Sequence, residues 1–321
     1  NTLTRNLVSL PYGYRGPDAS VTLDGLHYGA PVVLAAGFDY NGRLPRILKH
    51  VGFGGVEVGS VTARAAEGNP PPRLIRLVRS GSLVVNKGLR NDGVIRIAER
   101  LQRMPREPGF VLGISIARSN DPDAASMEGG IADYHAALSH LASVGVGDYY
   151  TINLSCPNVF AGESFAEPSR LRALLQRLVS VEHGRPLYAK MPINPPWKEF
   201  AALLDVIDEC GLNGVVIGNL NKDYSALERP EEAPPDYRGG LSGRPCAALS
   251  TDLIRRTREA YGSRFSIIGC GGIMTPQDAL EKLRAGADLV QLISGMIFEG
   301  PHLMKQIARA YAHHKAAARA V

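Results

Sequence analysis

Short runs of β-branched and apolar residues alternate with amphipathic segments from about residue 31 to the end of the chain. This alternation restricts the fold more than any other feature, because it is typical of repeated βα units that build a parallel sheet. Eight runs can be counted: PVVLAAG at 31, GGVEVGS at 54, GFVLGIS at 109, YYTINLS at 149, PLYAKMP at 186, NGVVIGN at 213, FSIIGCG at 265 and ADLVQLIS at 287. The segments between them show helical spacing, as at Leu171, Leu174, Leu175 and Leu178.

Eight units without a Gly/Ser-rich or charged linker favour closure into one α/β (β/α)8 TIM barrel over an open doubly wound sheet. We therefore expect a single domain over residues 1–321, of which residues 1–20 form an N-terminal extension. The segment VTLDGLHYGA, residues 21–30, is predicted to be a short β-hairpin at the barrel bottom. Two connections, roughly residues 60–92 and 219–247, are too long for plain turns, and such loops are usually functional.

Composition and charge narrow the classes of function. The net charge of +5 is modest and its Lys and Arg residues are dispersed, so we expect no nucleic-acid partner. The absence of a long apolar run and of a signal-peptide pattern predicts a cytoplasmic protein without an integral membrane segment. The four cysteines, at 156, 210, 246 and 270, have no metal-ligand spacing, which predicts reduced thiols and no metal. Small anionic molecules are the better match as ligands.

Glycines follow several strands at the end where (β/α)8 barrels carry their active sites. Gly271 and Gly272 follow the seventh run, Ser294 and Gly295 follow the eighth, and GGLSGRP contributes Gly243. Backbone N–H groups can cradle a phosphate only where no side chain blocks them. Each glycine alone could instead serve a tight turn, but their convergence predicts a phosphorylated ligand.

Polar residues in apolar surroundings indicate where chemistry takes place. Lys190 interrupts the apolar strand YAKMP, where its ammonium must face a polar site, such as a reduced flavin, or a core ion-pair partner. In NLSCPN, Asn153 and Asn158 offer amides that suit the N–H and C=O edge of a pyrimidine-like ring. Cys156 lies between them as a titratable group, although alone it could be a buried structural thiol.

The segments LAAGFDYNG, VGFGGVEVGSVTARAAEGNPPPRLIRL, NLSCPN, YAK, GGLSGRP, IIGCGGI and LISGMIFEGP resemble those of dihydroorotate dehydrogenases, especially the class 2 membrane-associated branch. The resemblance implies that Cys156 is the general base, with Lys190 as a second catalytic residue, while hydride passes from substrate C6 to flavin N5. It implies a substrate ring held by Asn153, Asn158 and Asn219. It also implies FMN at the barrel mouth, held by Ala36, Gly37, Thr62, Ser115, Asn153, Lys190, Gly243, Gly271, Gly272, Ser294 and Gly295.

The chain departs from the family pattern around the substrate. The base is Cys156, as in the class 1 branch, where class 2 usually has Ser. Tyr40 stands where a cation is expected after LAAGFD, and the family's substrate loop reads VNKGLRNDG, which either displaces Asn86 by one residue or implies a one-residue deletion. Lys87 or Arg90 could then supply the missing positive charge. We therefore count Tyr40, Asn86 and Lys87 among the substrate-binding residues.

Because these departures surround the substrate rather than the cofactor, the sequence leaves three functions open. They are FMN-dependent oxidation of dihydroorotate or a similar cyclic amide, action of a paralogue on a different small molecule, and flavin binding without catalysis. About twenty residues precede the hairpin without a convincing two-helix amphipathic unit, so either the chain lacks its start or the electron acceptor is soluble. A homodimer is compatible with a barrel of this kind.

Overall fold

Eight parallel strands close into a barrel in the computed structural model, which describes residues 2–154, 164–237 and 239–319. Neighbours around the barrel are also neighbours along the chain, and the last strand pairs with the first. The barrel strands are β3 (Val32–Leu34), β4 (Gly55–Val61), β7 (Val111–Ile116), β8 (Tyr149–Asn153), β9 (Leu187–Met191), β10 (Gly214–Ile217), β12 (Ser266–Cys270) and β13 (Leu289–Leu292). Each lies within one of the eight predicted runs or extends one residue past its carboxyl end, which confirms the (β/α)8 barrel.

Helices surround the barrel and bury their apolar stripes against it. In the described part of the chain, no helix combines the length and apolarity that crossing a membrane demands. The α-helices are α1 (Thr2–Tyr12), α2 (Pro45–Leu48), α3 (Val94–Gln102), α4 (Met127–Ser143), α5 (Pro168–Val179), α6 (Trp197–Glu209), α7 (Ala247–Tyr261), α8 (Pro276–Arg284), α9 (Ser294–Glu299) and α10 (His302–Arg319). Single 3₁₀ turns span Lys49–Val51, Pro122–Ala124, Tyr224–Ala226, Pro230–Glu232 and Arg244–Cys246.

Helix α5 shows how the sequence produces these elements. The four leucines predicted from their spacing, Leu171, Leu174, Leu175 and Leu178, are fully buried. Proline occupies the first helical position, where a missing N–H costs no hydrogen bond. The carboxylate of Glu167 accepts hydrogen bonds from the amides of Ser169 and Arg170, so it caps the helix start. Amphipathic spacing and capping therefore define this helix together.

A hairpin of β1 (Val21–Leu23) and β2 (Leu26–Tyr28) lies at the bottom of the barrel, as predicted. Its turn contains Asp24, whose carboxylate accepts hydrogen bonds from the Tyr188 hydroxyl and, at 3.0 Å, from the Ser266 hydroxyl. Both donors lie near the N-terminal ends of their barrel strands, and the Tyr28 side chain is fully buried. The hairpin thus closes the end of the barrel opposite the carboxyl ends of the strands.

The two long connections meet in a three-stranded antiparallel sheet that the sequence analysis did not predict. Its strands are β5 (Leu74–Leu77), β6 (Ser82–Val85) and β11 (Gly240–Gly243), with β6 in the centre. The segment GGLSGRP was expected to be part of a loop, and that expectation is wrong for Gly240–Gly243. Its small residues have weak strand propensity, and they become a strand by pairing with β6, which is far away in sequence.

A buried carboxylate connects three strands inside the barrel. Glu57 Oε2 accepts hydrogen bonds from Thr151 Oγ1 at 2.9 Å, Gln291 Nε2 at 3.0 Å and the Tyr149 hydroxyl at 3.3 Å. All four side chains are fully buried. Buried donors are costly to leave without an acceptor, so this cluster ties the three strands together.

We expect Glu57→Ala to lower the free energy of unfolding by about 3 kcal/mol, because it leaves three buried donors without their acceptor. Urea unfolding followed by circular dichroism measures the change. The matched control is Glu99→Ala on the exposed face of α3, which should change the free energy of unfolding by less than about 0.5 kcal/mol. Equal urea midpoints for Glu57→Ala and the wild type would contradict the role given to Glu57.

Candidate active site

A cleft lies at the carboxyl ends of the barrel strands, beneath the three-stranded sheet. It has two connected arms, both open to solvent, with volumes of about 500 Å³ and about 870 Å³. We call the first the glycine arm, lined by Gly218, Gly243, Cys246, Cys270, Gly271 and Gly272. We call the second the apolar arm, lined by Leu74, Leu83, Val85, Leu89 and Ile297 together with Tyr40 and Lys87. The arms meet at a junction formed by Ala36, Lys190, Asn219, Ser242 and Ser294.

Bare backbone lines the glycine arm because side chains would not fit there. Gly271 and Gly272 have φ values of 93° and 77°, which L-residues with side chains rarely adopt. A Cβ added at Gly272 would lie 2.4 Å from the Cα of Ala247, the first residue of α7. A Cβ at Gly243 would lie 2.2 Å from the Gly81 carbonyl oxygen. At these three glycines, which were predicted to bind phosphate, the main chain therefore forms the wall of the arm.

Lys190 is the most informative side chain of the junction. It belongs to β9, is 5% exposed, and lines both arms. Among the described residues, its ammonium has no hydrogen-bond acceptor and no carboxylate partner. Burial of an ammonium without a partner costs considerable free energy. Lys190 is therefore placed to meet a polar or anionic group inside the cleft rather than a core ion-pair partner.

Two asparagine amides lie beside Lys190. Asn153 pairs in register with Lys190 across β8 and β9. Its Nδ2 donates to Ser60 Oγ at 3.0 Å, and its Oδ1 accepts a long hydrogen bond from Asn219 Nδ2 at 3.4 Å. Ser60 Oγ in turn lies 2.8 Å from Ser115 Oγ. This chain of polar contacts orients the Asn153 amide at the edge of the cleft.

Lys87 brings a positive charge to the apolar arm, next to Tyr40, which occupies the position of the expected cation. Lys87 Nζ donates to the Gly37 carbonyl at 2.9 Å and lies 4.7 Å from the ring centroid of Tyr40. Burial lowers the pKa of Lys87 to about 8 and raises the pKa of Tyr40 to about 12. At neutral pH the arm therefore presents a protonated lysine above a neutral tyrosine ring.

Most of the predicted cofactor-binding residues come together on the cleft. Those with lining positions are Ala36, Gly37, Asn153, Lys190, Gly243, Gly271, Gly272 and Ser294. Of the predicted substrate-binding residues, Tyr40, Lys87, Asn153 and Asn219 line it. Cys156 and Asn158 lie outside the described residues, so their roles remain predictions.

Four predicted site residues do not line the cleft. Thr62 is fully buried and accepts a hydrogen bond from Asn91 Nδ2 at 2.7 Å. Ser115 is also fully buried, and its hydroxyl forms a hydrogen bond with Ser60 Oγ. Asn86 Oδ1 accepts from Asn69 Nδ2 at 2.6 Å, and a Cβ on Gly295 would meet the Ile273 carbonyl at 2.2 Å. Their hydrogen bonds and packing support the surrounding loops instead.

Several residues that line the cleft were not predicted from the sequence. The apolar wall from β5 and β6 could have been found, because LIRL and SLVV flank Ser80 and Gly81 as a hairpin pattern. Cys246 and Cys270, both free thiols, carried no signal of their own. Cys246 Sγ donates to the Leu241 carbonyl at 3.2 Å, and burial raises its pKa to about 12. Within the described ranges, no cluster of three or more His, Cys, Asp or Glu side chains could hold a metal ion.

Comparison with known proteins agrees with the geometry of the barrel and its cleft. A family model described as dihydroorotate dehydrogenase matches residues 18–314. A dihydroorotate dehydrogenase (quinone) from Thermosynechococcus vestitus is 35% identical over 305 residues, which covers 93% of this chain and 82% of the relative. A relative of the same description from Thermobifida fusca is 36% identical over 321 residues, covering 96% of this chain and 83% of the relative.

Solved structures lead to the same family. The crystal structure of DHODH from Eimeria tenella in complex with ferulenol has a TM-score of 0.85 and 27% sequence identity, covering 100% of this chain and 93% of that chain. The ligand-free DHODH from Eimeria tenella has a TM-score of 0.83 and 28% identity, covering 98% of this chain and 95% of that chain. Since the family model and the relatives both span most of the sequence, the chain belongs to the dihydroorotate dehydrogenase family of oxidoreductases.

Proposed function

We propose that this protein is an FMN-dependent oxidoreductase that converts dihydroorotate, or a closely similar anionic cyclic amide, to its unsaturated product. The observation that carries the proposal is the buried Lys190 ammonium, which has no partner among the described residues and faces the junction of the cleft. A ligand with a phosphate at one end and a polar ring at the other would satisfy both the glycine arm and Lys190. Membership of the family and the names of the relatives support dihydroorotate as the substrate.

The residues present fit FMN. Gly243, Gly271 and Gly272 line the arm without side chains and would place main-chain groups against a phosphate, and Ser294 adds a hydroxyl. Lys190 would face the N1–C2=O edge of the flavin ring and balance the charge that this edge acquires on reduction. When bound, FMN supplies an acceptor for the hydride that leaves the substrate. Because the glycine arm would take a phosphate and Lys190 a polar ring edge, the site favours FMN over a simple phosphate ester.

The substrate ring would be held by amides from this chain. Asn219 lies at the junction and Asn153 beside it on the apolar arm, where Ser60 accepts a hydrogen bond from the Asn153 amide and is itself paired with Ser115. An oriented amide both donates and accepts, as the N–H and C=O edge of a pyrimidine-like ring requires. Cys156, assigned by resemblance, would accept the C5 proton on its Sγ atom, for which a lowered thiol pKa is needed. Fixing the carbon acid beside the base contributes orientation.

Lys87 would pair with the substrate carboxylate. Its ammonium lines the apolar arm, next to the Tyr40 ring. The hydrogen bond to the Gly37 carbonyl fixes the position of this ammonium and leaves donors for an anion. Tyr40 occupies the position where the family pattern has a cation. Lys87 would supply that positive charge from a different loop.

A quinone is the oxidant that the names of the relatives support. The apolar arm offers it a hydrophobic surface, since Leu83 and Val85 continue to Leu74, which is 41% exposed. Each turnover would pass two electrons and two protons to the quinone and so form the quinol. Fumarate and oxygen, as soluble oxidants, are the alternatives that an acceptor comparison would separate from it.

Anaerobic addition of dihydroorotate to the FMN-loaded protein should bleach the flavin absorbance. Cys156→Ala should slow bleaching by about 10²–10⁴-fold, the usual contribution of a general base, without loss of bound FMN. Cys156→Ser is the matched variant and should retain part of the rate. The measurement is stopped-flow absorbance at the flavin band.

The result also distinguishes the three functions that the sequence left open. Flavin that stays oxidised with dihydroorotate, but is reduced by dithionite and by another cyclic amide or hydroxy acid, would overturn the dihydroorotate assignment in favour of a paralogue. Flavin that only dithionite reduces would indicate a binding protein without catalysis.

Lys87→Met should raise the KM for dihydroorotate by about tenfold or more, because a charge-assisted hydrogen bond to the carboxylate is lost. Since the pKa of Lys87 is lowered to about 8, its charge is present below that pH and disappears above it. The wild-type KM should therefore rise as the pH increases through about 8, and the Met variant should lack this rise. Steady-state kinetics from pH 6 to 10 measures both effects.

Lys87→Arg is the matched control, because arginine stays charged over this range of pH. It should keep a low KM at alkaline pH if the positive charge is what binds the substrate. Identical KM profiles for the wild type and Lys87→Met would show that the carboxylate is bound elsewhere.

A further inference from the structure

We propose that Lys282, a buried lysine behind the glycine arm, supplies the positive charge that draws the phosphate of the cofactor into that arm. The inference rests on the proposed function, since it takes the phosphate of FMN to occupy the glycine arm. Lys282 touches none of the space inside the cleft. Its role would be electrostatic, acting through the wall formed by α7 and the end of β12.

Lys282 is a charge buried among neutral oxygens. It lies on α8 and is 1% exposed. Its Nζ donates to Ser250 Oγ at 2.7 Å and to Thr251 Oγ1 at 3.1 Å, and lies 3.5 Å from the Ala247 carbonyl oxygen. Within the described residues no carboxylate lies within ion-pair distance of it. A buried ammonium of this kind is costly unless a negative charge compensates it.

Two short chains of contacts connect Lys282 to the glycine arm. In the first, Ser250 accepts from Lys282 and donates its own hydroxyl to the carbonyl of Cys270, the residue before Gly271. In the second, Ala247 lies against Gly272 so closely that a Cβ there would come within 2.4 Å of it. The ammonium is therefore one layer of main chain behind the wall of the arm. Across protein interior rather than water, a charge at this depth still acts strongly.

A phosphate bound in the glycine arm would require positive charge near the glycine end. Among the described side chains that line it, the one cation is Lys190, which lies at the junction rather than at the glycine end. A phosphate monoester carries close to two negative charges at neutral pH, and main-chain amides offer only partial positive charges.

Lys282 can carry the charge under ordinary conditions. Burial lowers the pKa of Lys282 to about 8, while the carboxylates of Asp278 and Glu281 act in the opposite direction. At pH 7 the protonated form therefore predominates. A phosphate in the arm would favour that form further, and by reciprocity the charge of Lys282 would favour the phosphate.

The test compares FMN with riboflavin, which has the same ring system but no phosphate. Dissociation constants for the apoprotein are measured by quenching of flavin fluorescence at pH 7. Lys282→Gln keeps an amide donor for Ser250 but removes the charge, and Lys282→Met removes both. The matched control is Lys198→Met, which removes the same unit of net charge from the exposed face of α6.

We expect both Lys282 variants to bind FMN about tenfold more weakly while their affinity for riboflavin stays within about twofold of the wild type. Lys198→Met should leave both affinities unchanged. Because Lys282→Gln retains hydrogen-bonding capacity, it provides the result even if Lys282→Met does not fold, as judged by circular dichroism of the apoproteins.

Other outcomes overturn specific parts of the argument. Equal weakening of FMN and riboflavin binding would mean that Lys282 only joins α7 to α8, and an unchanged preference for FMN in Lys282→Gln would likewise overturn the inference. A wild type that binds FMN no better than riboflavin would instead overturn the placement of the phosphate. A wild type that binds neither flavin would overturn the proposed function itself.

Discussion

Pairing between β13 and β3 closes the barrel, and the cleft depends on this closure. Val33 and Gln291 are partners in the register of these two strands, although they lie at opposite ends of the chain. Just beyond them, Ala36 and Ser294 reach the junction of the cleft. Because each barrel strand is hydrogen-bonded on both sides, the residues at its carboxyl end are held by the sheet, and the positions of site residues there are correspondingly well defined.

Charged side chains are distributed unevenly between the barrel interior and the cleft. Inside the barrel, Glu57 accepts hydrogen bonds from neutral donors, and no cation among the described residues forms an ion pair with it. Around the cleft, three lysines approach from different elements: Lys190 from β9, Lys87 from the loop after β6, and Lys282 from behind α7. Three cations around one concave site generate a local positive potential. Such a field suits a ligand pair of phosphate and carboxylate, which the proposed reaction supplies.

The sequence predicted those parts of the molecule whose signals are local. Strand runs, the hairpin turn at Asp24 and the glycines after β12 each depend on residues close together in the chain. The third strand of the sheet over the cleft was missed because β11 obtains its structure from β6 across the barrel mouth. Lys282 was missed for another reason: in PQDALEKLR it resembles one more charged residue on a solvated helix face, and only the packing of α8 against α7 buries it. Long-range pairing and tertiary burial leave no local pattern to detect.

Under the proposed function, the charge that binds the substrate carboxylate would come from Lys87 rather than from the position that Tyr40 occupies. A half-buried tyrosine with its pKa raised to about 12 stays neutral, so it offers a ring face rather than a competing anion. That face lies under Lys87, whose loop is anchored where Asn91 bonds Thr62 through its Nδ2 at 2.7 Å and its Oδ1 at 3.3 Å. Thr62, predicted to contact the flavin, thus forms hydrogen bonds that hold the loop carrying Lys87. Since a loop tolerates change more readily than a barrel strand, substrate preference can diverge here while the cofactor end stays constant.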